Sequence, residues 1–73
     1  MATEEEIKFA FRQAYNMMME NRTYENTVEY FEDLYARIHK VLDKYPENRL
    51  LWYLAGGVYG YIADVARKEE KHD

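Results

Sequence analysis

The chain contains no cysteine. That excludes a disulfide framework and a thiolate metal site. It contains no serine either, so no arrangement of side chains can supply a Ser-His or Cys-His nucleophile. One proline and three glycines leave no Pro- or Gly-rich linker. Gly56-Gly57 is not followed by Lys-Ser or Lys-Thr, so there is no phosphate-cradling loop. Positive charge is scarce: ten Lys and Arg stand against fourteen Asp and Glu, a net charge of −4. A nucleic-acid binder needs clustered positive charge, and this balance argues against one. No apolar run reaches the roughly 20 residues that a membrane span requires. The opening Met1-Ala2-Thr3-Glu4-Glu5-Glu6 is the opposite of the basic start of a signal peptide. The expectation is a soluble, cytoplasmic protein.

What the chain does have is aromatic surface and helical periodicity. Eight tyrosines, three phenylalanines and one tryptophan make up 16% of its 73 residues. A chain this short buries only about 60% of the surface its unfolded form exposes. Without disulfides it must rely on dense packing or self-association.

Three helices are expected in a single helical domain over residues 1–73, at about 4–21, 25–45 and 48–70. Thr3 and Glu6 have capping-box spacing. Ile7, Phe11, Ala14, Tyr15 and Met18 recur at threes and fours, with Ala10 and Met17 widening the stripe. Val28, Phe31, Leu34, Tyr35, Ile38, Val41, Leu42 and Tyr45 form a second stripe, and Thr27 stands near its start. Pro46 ends it, because a residue before proline avoids the α region. Asn48 is placed to cap the third helix. Short connections make neighbouring helices antiparallel. The fold class is therefore all-α, a small up-down-up three-helix bundle that self-associates. A β-hairpin over residues 50–62, turning at Gly56-Gly57, is the competing local reading.

The third helix carries no charge from Leu50 to Ala63. A helix that is apolar on every side must be buried on every side. Leu51, Leu54, Ala55, Val58, Ile62 and Val65 form one face, with Tyr61 at its edge. Trp52, Gly56, Tyr59, Gly60 and Ala63 form the opposite one. Each glycine costs a helix about 1 kcal/mol relative to alanine, which suggests a packing need. Either both other helices use both faces, or one face meets another molecule. In the second case Gly56→Leu or Gly60→Leu should break the contact.

Pro46, Trp52, Ala55, Gly56 and Tyr59 look like the start of a tetratricopeptide repeat, whose first helix carries W-x2-L-G-x2-Y. Ala55 replaces the leucine. Tyr24, Thr27, Phe31 and Leu34 are similar to the second helix of such a repeat, although the helix here is too long for one. The resemblance covers about half the chain and implies a helical protein-interaction scaffold.

Chemistry-bearing residues are few. Glu69 and His72 have the i,i+3 spacing of bundle metal sites, but they lie in a charged terminus. His39 has no nucleophile or paired carboxylate beside it in sequence. Glu25, Glu29, Glu32 and Asp33 make an acidic side of helix 2, with Arg37, Lys40 and Lys44 below. Both read as solvated faces. Met17-Met18-Met19 reads as core filling bordered by an adaptable surface.

The expectation is a non-enzymatic protein-interaction module that binds itself or another protein through Trp52, Gly56, Tyr59, Gly60 and Ala63. It has no catalytic residues, metal site or cofactor. Adaptor, inhibitor, immunity and antitoxin-type roles all fit. The alternative is a helical ligand- or metal-binding protein whose site lies between helices, drawing on Arg12, Glu20, Arg37, His39 or Asp64.

Overall fold

The computed structural model describes residues 1–70, an elongated body of 47 × 18 × 17 Å. Helix α1 spans Glu4–Glu20, α2 Val28–Lys44 and α3 Arg49–Glu70. There is no strand among the described residues. Residues 50–62 are helical, so the hairpin reading is overturned. The apolar runs on either side of Gly56-Gly57 continue one i,i+4 ladder instead of reversing.

The helix starts follow local hydrogen-bonding chemistry. Thr3 caps α1 in a reciprocal box: its hydroxyl accepts from the Glu6 N–H at 3.1 Å, and the Glu6 carboxylate accepts from the Thr3 N–H at 2.8 Å. Those bonds to Thr3 hold the Glu6 carboxyl below its ordinary pKa. Helix α2 begins at Val28 rather than near residue 25, because Thr27 is extended and its hydroxyl accepts from the Tyr30 N–H at 3.1 Å. Asn48 caps α3, its Oδ1 accepting from the Leu51 N–H at 3.1 Å.

Side-chain ties between elements set the up-down-up order. Asn48 Nδ2 donates to the Glu6 carbonyl at 3.3 Å, which joins the first turns of α1 and α3. Asn26 Nδ2 donates to the Ala66 carbonyl at 3.2 Å, joining the approach to α2 with the end of α3. Tyr30 donates its hydroxyl proton to Asn21 Oδ1, joining the end of α1 to the start of α2. α1 and α3 are thus parallel, and α2 runs against both.

The core is Ala10, Met17, Leu34, Ile38, Leu42, Leu51, Ala55 and Ile62. α1 packs along α3 more extensively than α2 does. The residue sizes explain why. α1 offers Ala10 and Ala14 to the seam and α3 offers Ala55, so the two backbones close together. α2 meets α3 through rings: Phe31 and Tyr35 lie 6.2 and 5.9 Å from Tyr59, both edge-to-face. Rings of that size hold the helices apart.

Candidate interaction surface

Rotation about α3 sorts its side chains. Leu51, Ala55, Ile62 and Ala66 are buried along one line. At about 100° per residue, the opposite side carries Tyr53, Gly56, Gly57, Gly60 and Tyr61, all exposed. Tyr53 is 71% and Tyr61 60% exposed. A Cβ placed on any of the three glycines meets nothing within 4 Å. No neighbour inside the chain therefore calls for glycine at these positions. α1 and α2 both pack on α3, yet together they leave this arc uncovered.

The five residues singled out from sequence do not share one environment. Gly56 and Gly60 lie on the open arc. Trp52, 43% exposed, sits at its margin with its ring edge-on to His39 at 5.9 Å. Tyr59 and Ala63 are half-buried and turn toward α2, where they line a groove with Val28, Phe31 and Tyr35. Val28 and Tyr35 are themselves 69% and 55% exposed in that groove.

Sequence reasoning missed part of the exposed surface. Ile7, Phe11 and Tyr15 read as core, but the buried line of α1 is Ala10, Ala14, Met17 and Asn21. Phe11 is 55% and Tyr15 64% exposed. Tyr53 carried no mark of its own in the sequence, and Gly57 was marked as a turn or a costly helix glycine but not as part of the contact. The available signal was the pair of alanines, which fit a close helix seam better than bulky rings do.

The polar residues do not assemble a reactive site. His39 is half-buried, its ring 4.3 Å from that of Tyr35. Arg37 pairs with Asp33 at 2.7 Å, lies 6.0 Å from the centre of the Tyr30 ring and reaches Asn21 Oδ1 at 3.4 Å. Glu20 borders the same hollow as Arg37, beside Lys40 and Lys44. Asp64 pairs instead with Arg67 at 3.2 Å and Lys68 at 3.5 Å. Arg12 is exposed on α1, and Glu25 precedes α2. Among the described residues no group of three or more His, Asp or Glu side chains is placed to hold a metal ion. The Glu69–His72 pairing falls partly outside the described residues. No helix among the described residues is long and apolar enough to cross a membrane.

One titratable group stands out. The Tyr24 hydroxyl is buried and has no partner at ordinary hydrogen-bond distance among the described residues. The Glu69 carboxylate, with burial acting the same way, pushes its pKa up to about 12. An unfolded tyrosine ionises near 10, so the folded chain holds this proton more tightly. The resulting stabilisation is complete below pH 10 and is lost as pH rises toward 12. In denaturant melts, Tyr24→Phe should show a smaller loss of stability across that window than the natural chain. Equal losses would show that this proton is not linked to folding.

No family model, no curated protein and no solved structure matches the chain. The tetratricopeptide-like spacing is therefore a likeness of residues alone. On the structure its Trp52 and Tyr59 are the two rings nearest α2, and its Gly56 faces outward.

Proposed function

We propose that the chain is a small cytoplasmic interaction module. It acts by presenting a helix face to itself or to another protein, and it carries out no reaction. The observation that supports this is the open arc of α3, where tyrosines flank glycines that nothing in the chain itself requires. Keeping three glycines in a helix costs about 1 kcal/mol each relative to alanine. A close approach by another backbone gives that cost a use. The ligand-binding alternative is weaker, because only Glu20 and Arg37 share a hollow, while Arg12, His39 and Asp64 lie in different surroundings.

Gly56→Leu and Gly60→Leu test the reading. Neither meets a neighbour within the chain at its Cβ, and both replace a poor helix former with a good one. Helicity and melting temperature should hold or rise. Recovery of whatever the tagged natural chain binds, its own untagged copy included, should fall by about tenfold or more. Partners retained at undiminished strength by both variants would refute the assignment.

A further inference from the structure

The uncovered surface does not stop at α3. Ile7 of α1 borders the same hollow as Leu50 and Tyr53 of α3, so the two parallel helices lie side by side there. On α1, Ile7, Phe11, Tyr15 and Met19 follow one another at steps of four and form a single ridge. They are 36%, 55%, 64% and 38% exposed. On α3, Tyr53, Gly57 and Tyr61 form a second ridge at the same step. α2 and its C-cap Tyr45 cover the other side of this two-helix layer, with Tyr45 against Phe9 and Phe31 against Tyr59. Both ridges therefore look away from α2.

We propose that a second copy of this chain covers this face, packed antiparallel about a twofold axis that passes beside Gly57. The proposal rests on the interaction reading above and names its partner.

The α3 ridge reads Tyr-Gly-Tyr in either direction, and the α1 ridge matches its reverse in kind though not in identity, with aromatic rings inside and apolar side chains at both ends; that favours a copy over a foreign chain. A twofold contact must be self-complementary: whatever one copy presents, the other must receive in reverse order. The α1 ridge is symmetric about Gln13, and the α3 ridge about Gly57. These two centres are level. Ile7 lies beside Leu50 and Tyr53; Gln13 is just under two turns on from Ile7, and Gly57 one to two turns on from Tyr53 and Leu50. One axis can therefore serve both ridges. It sets Tyr53 against the partner's Tyr61, Phe11 against the partner's Tyr15 and Ile7 against the partner's Met19. At the centre Gly57 meets its own copy, where a missing side chain lets the backbones approach.

The area is also sufficient. The exposed parts of Phe11, Tyr15, Tyr53 and Tyr61 alone amount to roughly 400–600 Å². That equals the largest apolar patch usual on a whole monomer, about 300–600 Å². Ile7, Met19 and the glycine backbone bring the face toward the roughly 800 Å² per partner of a standard stable interface.

Sedimentation of the full chain over a wide dilution range, with circular dichroism on every variant, tests the proposal. The natural chain should show a monomer–dimer equilibrium. Gly57→Leu should raise the dissociation constant about tenfold or more while helicity is kept, because a Cβ there meets nothing within the chain. Tyr53→Lys and Tyr61→Glu should each weaken the dimer to a similar degree. Combined in one chain they lie two turns apart, yet across the axis each new charge faces its opposite. The double variant should recover about tenfold over either single one. A dimer indifferent to Gly57→Leu, or a double variant no better than its parents, overturns the proposal. A natural chain monomeric at every concentration that still captures another protein, in a manner lost with Gly56→Leu and Gly60→Leu, overturns the second copy but supports the interaction reading. A monomer that captures nothing overturns both.

Discussion

Leu51→Ala is expected to leave much of the chain unfolded at 25 °C. Leu51 is fully buried on the line of α3 that faces both other helices, within the cluster that includes Leu34, Ile38, Ala55 and Ile62. Shortening a buried leucine to alanine removes transfer free energy and leaves a cavity, together about 2–5 kcal/mol. A single core in a chain of this size supplies only about 3–5 kcal/mol. The two figures are comparable, so one substitution consumes most of the folding free energy. Urea melts followed by circular dichroism, at one fixed protein concentration, measure the loss. The fixed concentration matters because any self-association adds to apparent stability. A loss under about 1 kcal/mol would show that the seam closes up around the vacancy.

Asn21→Leu should destabilise the fold by about 2–3 kcal/mol, although it introduces a larger apolar side chain at a buried position. Asn21 is only 2% exposed and joins α1 to α2. Its N–H donates to the Met18 carbonyl at 3.2 Å, and its Nδ2 to the Met17 carbonyl at 2.7 Å. Its Oδ1 accepts from the Tyr30 hydroxyl and from Arg37 Nη2. Leucine would fill the space but leave the Tyr30 hydroxyl and the Met17 carbonyl without this partner, whereas Arg37 keeps Asp33 and solvent. A buried polar group stripped of its partner costs more than the bond itself contributed. Tyr30→Phe removes one of these bonds and should cost about 1 kcal/mol. The two substitutions share that bond, so the double variant should lose less than the two losses added together. Simple additivity would mean that the Asn21–Tyr30 bond contributes nothing to the role of Asn21.

The helix frame was legible because caps and breakers act locally. Thr3 with Glu6, Pro46 and Asn48 each act within three or four residues of themselves, so spacing alone reveals them, whereas the start of α2, read near residue 25, is set by the Thr27 cap. The inner face of α2 was legible for a related reason. Leu34, Ile38 and Leu42 lie in the middle of its apolar stripe and are its buried residues. The face of α1 was legible only in part. The stripe read from sequence held Ala14, with Ala10 and Met17 at its edge, but a periodicity weighted by hydrophobicity centres on Ile7, Phe11 and Tyr15, whereas a close seam selects for small volume and centres on Ala10 and Ala14. The two stripes differ by part of a turn, and only the partner helix decides between them. The same limit applies on α3. Tyr59 and Gly56 lie on neighbouring lines of the helix, and nothing in their spacing tells that one leans on Phe31 while the other faces outward.

Asparagine amides fasten α3 near both ends, from Asn48 to the first turn of α1 and from Asn26 to the carbonyl of Ala66. Between them lie all three glycines, with no such tie. Mechanically this is a beam clamped at its supports and thinnest at midspan. A load laid across the middle would flex it there and leave its anchorages undisturbed.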